Sequence, residues 1–222
     1  MNRVAVVGLG RVGLPLALSF ADVGLDVVGV DRERRVLESV EAGRMPFHET
    51  GTQHLLERVL PTGRLRLTAD VAEAAEAEGI VLTLGTPALS HIEIDISAIR
   101  SVLDDLLPLL RPGHSVVLRS TVAPGTTEWV AGYVEQRRGF AVGRDVFVAH
   151  VPERIAENHF VEEIATLPCI VGGVGPGSGE RAAELFQAFG APVVQTTPVQ
   201  AELAKIWTNI LRYTHFALPN SS

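Results

Sequence analysis

Short runs of β-branched and aliphatic residues alternate along the chain with longer stretches whose apolar positions recur at helical spacing. RVAVVG (3–8), DVVGV (26–30), RLRLT (64–68), GIVLTL (79–84), HSVVLRS (114–120), DVFVAH (145–150), PCIVGG (168–173) and PVVQT (192–196) read as strands. Most are continuously apolar rather than alternating, as in a sheet buried on both faces. Stretches 11–23, 32–42, 49–60, 70–78, 95–110, 124–138, 177–190 and 198–217 read as helices. This alternation predicts an α/β fold, a doubly wound and mostly parallel Rossmann-type sheet.

The last stretch, AELAKIWTNILRYTHF, is the longest helical segment without glycine, and no strand follows it. Steps of four and three put Lys205, Asn209 and Arg212 on one face. Leu203, Ile206, Trp207, Ile210 and Leu211 fill a wider apolar arc beside them.

Composition narrows the field. A chain of 222 residues has room for one large domain or two small ones. A net charge of −7 argues against a nucleic-acid binder built on a basic stripe, yet leaves a small anionic substrate open. The single cysteine, Cys169, excludes a disulfide framework and a Cys-based zinc site. Within the apolar LPCIVGG it reads as a small core residue. The seven histidines show no zinc-motif spacing, so no metal site is expected. No segment approaches the ~20 apolar residues a membrane helix requires. The expectation is a cytoplasmic protein with no membrane or nucleic-acid partner.

The first strand runs straight into Gly8-Leu9-Gly10-Arg11-Val12-Gly13 and a helix. In such a loop Gly8 makes the tight turn, Gly10 lets backbone approach a pyrophosphate, and Gly13 lets the helix pack on the strand. The phosphates sit at the helix N-terminus, where free N–H groups and the dipole favour anions. The second strand ends in Asp31, about the ~20 residues on at which an acid binds the adenosine ribose. Its carboxylate would repel a 2′-phosphate, so NAD is favoured over NADP, although Arg32, Arg34 and Arg35 lie close by. GGVGPGSGE (172–180) is also glycine-rich, but its spacing differs and no acid ends the following strand. It reads as a plain connection into a helix beginning near Ser178.

Three other strand ends carry polar residues: Gly85-Thr86-Pro87, Arg119-Ser120-Thr121 and His150-Val151-Pro152-Glu153-Arg154. Thr86 and Thr121 could donate to a ribose or a nicotinamide amide, or could serve ordinary turns. Glu153 is either a general base or half of a surface ion pair.

Taken in order, GLGRVGLPLAL, the Thr-Pro of LGTP, RSTVAPGTTE, PERIAENHFVEEIATLPCIVGG and AELAKIWTNILR resemble the NAD-binding half of the nucleotide-sugar 6-dehydrogenases. These enzymes oxidise C6 of UDP- or GDP-sugars to a carboxylate. The resemblance covers essentially the whole chain and is closest to the UDP-N-acetylmannosamine dehydrogenase branch, with UDP-glucose dehydrogenase as the nearest rival. It implies a cofactor site at Gly8, Gly10, Arg11, Val12, Gly13, Asp31, Arg35, Thr86 and Thr121. It implies catalytic roles for Lys205, Asn209, Glu153 and Thr121, and UDP-sugar contacts from Arg154, Ile155, Lys205, Asn209 and Arg212.

The resemblance further implies a domain at 1–197 and, at 198–222, the beginning of a helix that links to a substrate domain and forms a homodimer. The catalytic cysteine of the family lies beyond that helix, and nothing in this sequence corresponds to it. Asn220 is followed by two serines where an acid is common, and Asn158 replaces a glycine. Two alternatives stay open: the corresponding half of a UDP-glucose dehydrogenase, or a non-catalytic module that binds NAD or a nucleotide sugar. A short-chain oxidoreductase would want a Tyr-x-x-x-Lys pair, and neither Tyr133 nor Tyr213 has one.

Overall fold

The computed structural model describes residues 1–87 and 94–217. Eight strands form one sheet: β1 (Arg3–Val7), β2 (Asp26–Val30), β3 (Leu65–Thr68), β4 (Gly79–Leu82), β5 (Ser115–Leu118), β6 (Phe147–His150), β7 (Cys169–Val174) and β8 (Val193–Thr196). Their order across the sheet is β3-β2-β1-β4-β5-β6-β7-β8, parallel throughout except where β6 meets β7. The helices are α1 (Gly13–Asp22), α2 (Arg34–Glu41), α3 (Thr52–Val59), α4 (Ser97–Leu106), α5 (Thr126–Arg138), α6 (Phe160–Glu163), α7 (Ser178–Gln187) and α8 (Pro198–Ala217).

Alternate residues of each strand feed two cores. Val4, Val6, Val81 and Val117 pack with Leu14, Leu18 and Phe20 of α1, with α3, and with Phe186 of α7. Ala5, Val7, Ile80 and Leu82 pack on the other face with Ile99, Leu103 and Leu106 of α4 and with Val130 and Val134 of α5. Burial on both faces is why the strands lack a polar alternation. The doubly wound, mostly parallel Rossmann-type sheet is therefore the observed architecture.

Every expected strand is present. The expected helix over 70–78 is instead a 3₁₀ segment, Val71–Glu76, entered through Asp70, whose carboxylate accepts the Ala72 amide at 2.9 Å. The Asp70 cap serves a helical start of either kind, and short connectors of this sort commonly take the tighter 3₁₀ turns. The glycine-rich 172–180 stretch is a close-packed connection: a Cβ on Gly173 would lie 2.2 Å from the Gly179 nitrogen, and α7 begins at Ser178. The 151–168 connection carries α6, which the hydrophobic pattern did not reveal, and it returns the chain antiparallel. Asn220 and its following serines lie outside the described residues.

Candidate active site

At the end of β1 the chain turns through Gly8 at φ +98°, with its amide donating to Val30 O at 2.8 Å. Thr83 donates its hydroxyl to Gly8 O at 2.6 Å, pinning the turn from β4. A Cβ on Gly13 would fall 1.8 Å from Gly8 O and 2.4 Å from Thr83 Oγ1, so the first turn of α1 lies directly on this turn. Gly10 is the opposite case. Its missing side chain faces open space, with no atom within 4 Å. The N-terminus of α1 has no side-chain cap and no acid in its first turn. Leu14 already donates to Gly10 O at 3.0 Å and Leu16 to Val12 O at 3.2 Å, and Pro15 has no N–H. The amides that face an outside acceptor such as a pyrophosphate are therefore those of Arg11, Val12 and Gly13.

Asp31 organises the next part. Its Oδ2 accepts the Leu9 amide at 2.6 Å and its Oδ1 the Glu33 amide at 2.8 Å. The residue lines a cavity of about 640 Å³ with Gly8, Gly10 and Arg32, walled by Val30, Val71 and Val102. A polar acid beside an apolar slot suits an adenosine. Arg34 and Arg35 do not line it. Arg35 is 90 % exposed and paired with Glu33 at 3.4 Å, because the start of α2 carries it away from the cleft.

A second cavity of about 560 Å³ shares Gly10, Thr83, Leu84 and Gly85 with the first, and brings in Arg11, Val12, Thr86, Thr121, Glu153 and Lys205. The two cavities therefore meet at the glycine loop, the arrangement a dinucleotide needs. Thr86 donates to Thr121 O at 2.5 Å, tying the ends of β4 and β5. Arg11 pairs with Glu157 at 3.0 Å and lies over the Phe47 ring.

Glu153 is half of an ion pair, but a buried one with Arg119, the residue after β5, rather than a surface pair with its neighbour Arg154. Arg119 Nη2 donates to Glu153 Oε2 at 2.5 Å, and Glu153 Oε1 accepts the Ile155 amide at 2.6 Å. Arg119 also lies over the Phe186 ring. Packed between a carboxylate and an aromatic face, it fixes the direction in which Glu153 faces the cavity.

Lys205 reaches this cavity from α8. Burial pushes its ammonium below the usual lysine range; Glu153 opposes that, while Arg212, Arg119 and Arg154 add to it. It is the only lysine in the sequence, against 18 arginines. That contrast is a compositional signal for a position needing a compact, titratable amine. Asn209 is exposed and lines neither cavity, since burial fades along α8 beyond Glu202. Arg212 donates to Arg154 O at 2.6 Å and Ile155 O at 3.3 Å, so its guanidinium straps the 153–155 loop. Ile155 lines the second cavity, but Arg154 turns away and donates to Pro168 O. It borders a small space of about 20 Å³ with Arg119, Glu153 and Cys169. Burial pushes the Cys169 thiol up, which keeps it protonated.

Motif reading left Glu49, Thr83 and Arg119 without roles. Glu49 lines the second cavity and accepts the Phe160 amide at 3.2 Å. Their partners lie far along the chain, so no local spacing announces them.

The fold and the twin cavity define a dinucleotide-binding domain. The chain belongs to the UDP-glucose/GDP-mannose dehydrogenase family, whose NAD binding domain matches residues 2–190. It is 32% identical over 219 residues to the UDP-N-acetyl-D-mannosamine dehydrogenase of Pyrococcus horikoshii, covering 98% of this chain and 52% of that protein. The solved structure of that dehydrogenase superposes with a TM-score of 0.92 over 98% of this chain. GDP-mannose 6-dehydrogenase of Pseudomonas syringae pv. tomato is also 32% identical, with 98% of this chain and 51% of that protein covered. The chain spans about half the length of the curated relatives it matches. Its cofactor is NAD. Among the described residues, no helix is long and apolar enough to cross a membrane.

Proposed function

We propose that this chain is the cofactor-binding half of an NAD-dependent nucleotide-sugar 6-dehydrogenase, with UDP-N-acetylmannosamine the favoured substrate and UDP-glucose the alternative. The observation that carries the reading is the delivery of Lys205 from α8 into the cavity that holds Thr121, Glu153 and the glycine loop. Binding NAD gives no use to a half-buried lysine and a buried carboxylate at that end, whereas oxidising an alcohol beside the nicotinamide uses both, one to stabilise oxyanion charge and one to handle water.

Bound NAD supplies the hydride acceptor. The chain's own residues do the rest. The α1 N-terminus holds the pyrophosphate and Asp31 the ribose. Thr86 and Thr121 border the nicotinamide end. Lys205, and Asn209 once a substrate covers it, stabilise developing oxyanion charge by fixed position. Glu153, aimed by Arg119, holds or activates water. In balance, one primary alcohol and one water give a carboxylate, with two hydrides leaving to two NAD molecules and three protons released. The second oxidation passes through a thioester on a cysteine, which splits one hard step into two. The family resemblance assigns that cysteine to a second half. Residues 1–197 form the cofactor domain in this reading and 198–222 begin the link, in a cytoplasmic enzyme.

A non-catalytic binding module is the second reading, favoured by the engagement of Arg154 and Arg212 with backbone carbonyls. The deciding experiment mixes the chain with NAD and each UDP-sugar and follows reduced nicotinamide, with NAD binding measured by calorimetry. Binding without turnover, restored when a cysteine-bearing second half is supplied, fits the dehydrogenase; no turnover even then leaves the module. Lys205→Ala should damage that turnover more than NAD affinity.

A further inference from the structure

Glu202 is fully buried, and among the described residues no cation pairs with it. A carboxylate in that setting is costly unless its oxygens are hydrogen-bonded. Here every bond goes to the start of one helix. Oε2 accepts the Gly125 amide at 2.7 Å, and Oε1 accepts the Thr127 amide at 2.8 Å and the Thr127 hydroxyl at 2.5 Å. α5 has no cap of its own, because its N-cap residue is Gly125 at φ +91°. Glu202 therefore caps α5 from 75 residues away in sequence, with its charge against the positive end of the helix.

The segment that leads into α5 and the first half of α8 each put a residue on the second cavity, Thr121 and Lys205. α5 is entered through Thr121 and the short 122–125 turn, and Thr86 already grips Thr121 O. On α8, Lys205 follows Glu202 by three residues, on the neighbouring face of the same turn. Before Glu202, α8 lies against β7, where a Cβ on Gly172 would meet Pro198 Cα at 2.7 Å. Beyond Lys205, Arg212 straps the carbonyls of Arg154 and Ile155. Lys205 thus stands between two polar clamps, of which only Glu202 reaches the Thr121 side.

We propose that Glu202 is a positioning residue: by capping α5 it fixes the distance between Lys205 and the Thr121 turn, and so sets the geometry at the reacting end of the cavity. The proposal rests on the reading of that cavity as the dehydrogenase site, but its test does not need turnover.

Because Lys205 is the only lysine, protein grown with ¹³Cε-labelled lysine gives one side-chain resonance. Its titration reads the burial of the amine and the groups that face it: Glu153, Arg212, Arg119 and Arg154. Two variants are compared with the unmodified chain. Glu202→Gln sets an amide –NH₂ against donor N–H groups, and Thr127→Val removes one donor while keeping the Glu202 charge. With helical circular dichroism retained, both should move the midpoint upward as α8 loosens and the amine meets water, Thr127→Val by less.

Loss of negative charge alone would move the midpoint down, so an upward shift separates displacement from electrostatics. An unchanged or lowered midpoint in the folded variants overturns the proposal. If Glu202→Gln does not fold, Thr127→Val decides in the same way. NAD calorimetry runs alongside: absent NAD binding with an upward lysine shift sinks the dehydrogenase reading and keeps the coupling, and the reverse pair of results sinks the coupling alone.

Discussion

The Leu9 amide donates to Asp31 Oδ2 at 2.6 Å, so the acid that follows β2 also holds the glycine loop that begins α1. One carboxylate serves as structural tie and as wall of the adenosine cavity. Asp31→Ala should therefore lower both stability and NAD affinity. Loss of charge-assisted bonds to Leu9 and Glu33 should cost about 2 kcal/mol of folding stability. NAD affinity should fall at least about tenfold, with discrimination against NADP reduced. Denaturant melts and calorimetry with both dinucleotides check this. A variant that binds NAD as tightly as before would remove Asp31 from the site.

Gly10 and Gly13 lie three residues apart and should fail in different ways. Gly13→Ala forces a Cβ into Gly8 O and Thr83 Oγ1, so stability should drop by about 2 kcal/mol or more. Gly10→Ala meets nothing, and no positive φ strains it. It should melt like the parent and still lose NAD affinity tenfold or more, since the added methyl occupies the pyrophosphate approach. Equal melting temperatures for the two variants would contradict the packing described here.

The sheet and its glycine loop were legible because their signals are local: buried Val and Ile runs, glycines at fixed offsets, an acid after the second strand. The antiparallel return at β7 was not, since hydrophobic pattern carries no direction. Arg119 shows the other limit. Its sequence neighbours suggested a polar strand end, but its partner Glu153 lies 34 residues away and is brought near only by the β5–β6 pairing. Glu202 is hidden the same way. Arg154, by contrast, matched a substrate-facing position, and its side chain is drawn instead to the Pro168 carbonyl.

Asn158 is the one non-glycine residue at positive φ among the described residues, at 68°. It stands where the family resemblance expects glycine, and asparagine tolerates that region better than most residues. Asn158→Gly should leave stability within about 0.5 kcal/mol. Asn158→Val, β-branched, should cost roughly 1–2 kcal/mol and loosen the 153–160 loop. Chemical melts of the two variants measure the gap; equal stabilities would mean the loop relaxes to another backbone.

The far part of α8 leaves Trp207 65% and Tyr213 79% exposed, with Ile210 and Leu211 beside them. Contiguous apolar surface of this kind marks an interface. A second copy packing there is the homodimer expected from the sequence. Sedimentation of the chain should show self-association, and Trp207→Glu with Leu211→Glu should abolish it without altering NAD affinity. A monomer at high concentration in the parent would remove the homodimer expectation.

Acid should weaken the fold well above the carboxylate range, through His150. The residue is fully buried at the end of β6. Burial pushes its imidazole down to about 3, Arg119 adds to that, and the Leu118 carbonyl opposes it without reaching hydrogen-bond geometry. In the unfolded chain the same ring titrates near 6.5. Between those values the unfolded state binds the proton and the folded state does not, so stability is full above pH 6.5 and falls as pH descends toward 3. The loss by pH 4 should reach up to about 3 kcal/mol. Asp22 and Asp145, whose carboxyls are held down by Arg58 and Arg144, act in the same direction but only below about pH 4. His114, lowered by burial and then by Arg111, leaves a smaller slope in the upper window. His150→Phe keeps an aromatic ring and removes the proton acceptor. Urea melts from pH 7 to 4.5 should therefore show a steep decline in the parent and a shallow one in the variant. Parallel declines would transfer the acid sensitivity to other groups.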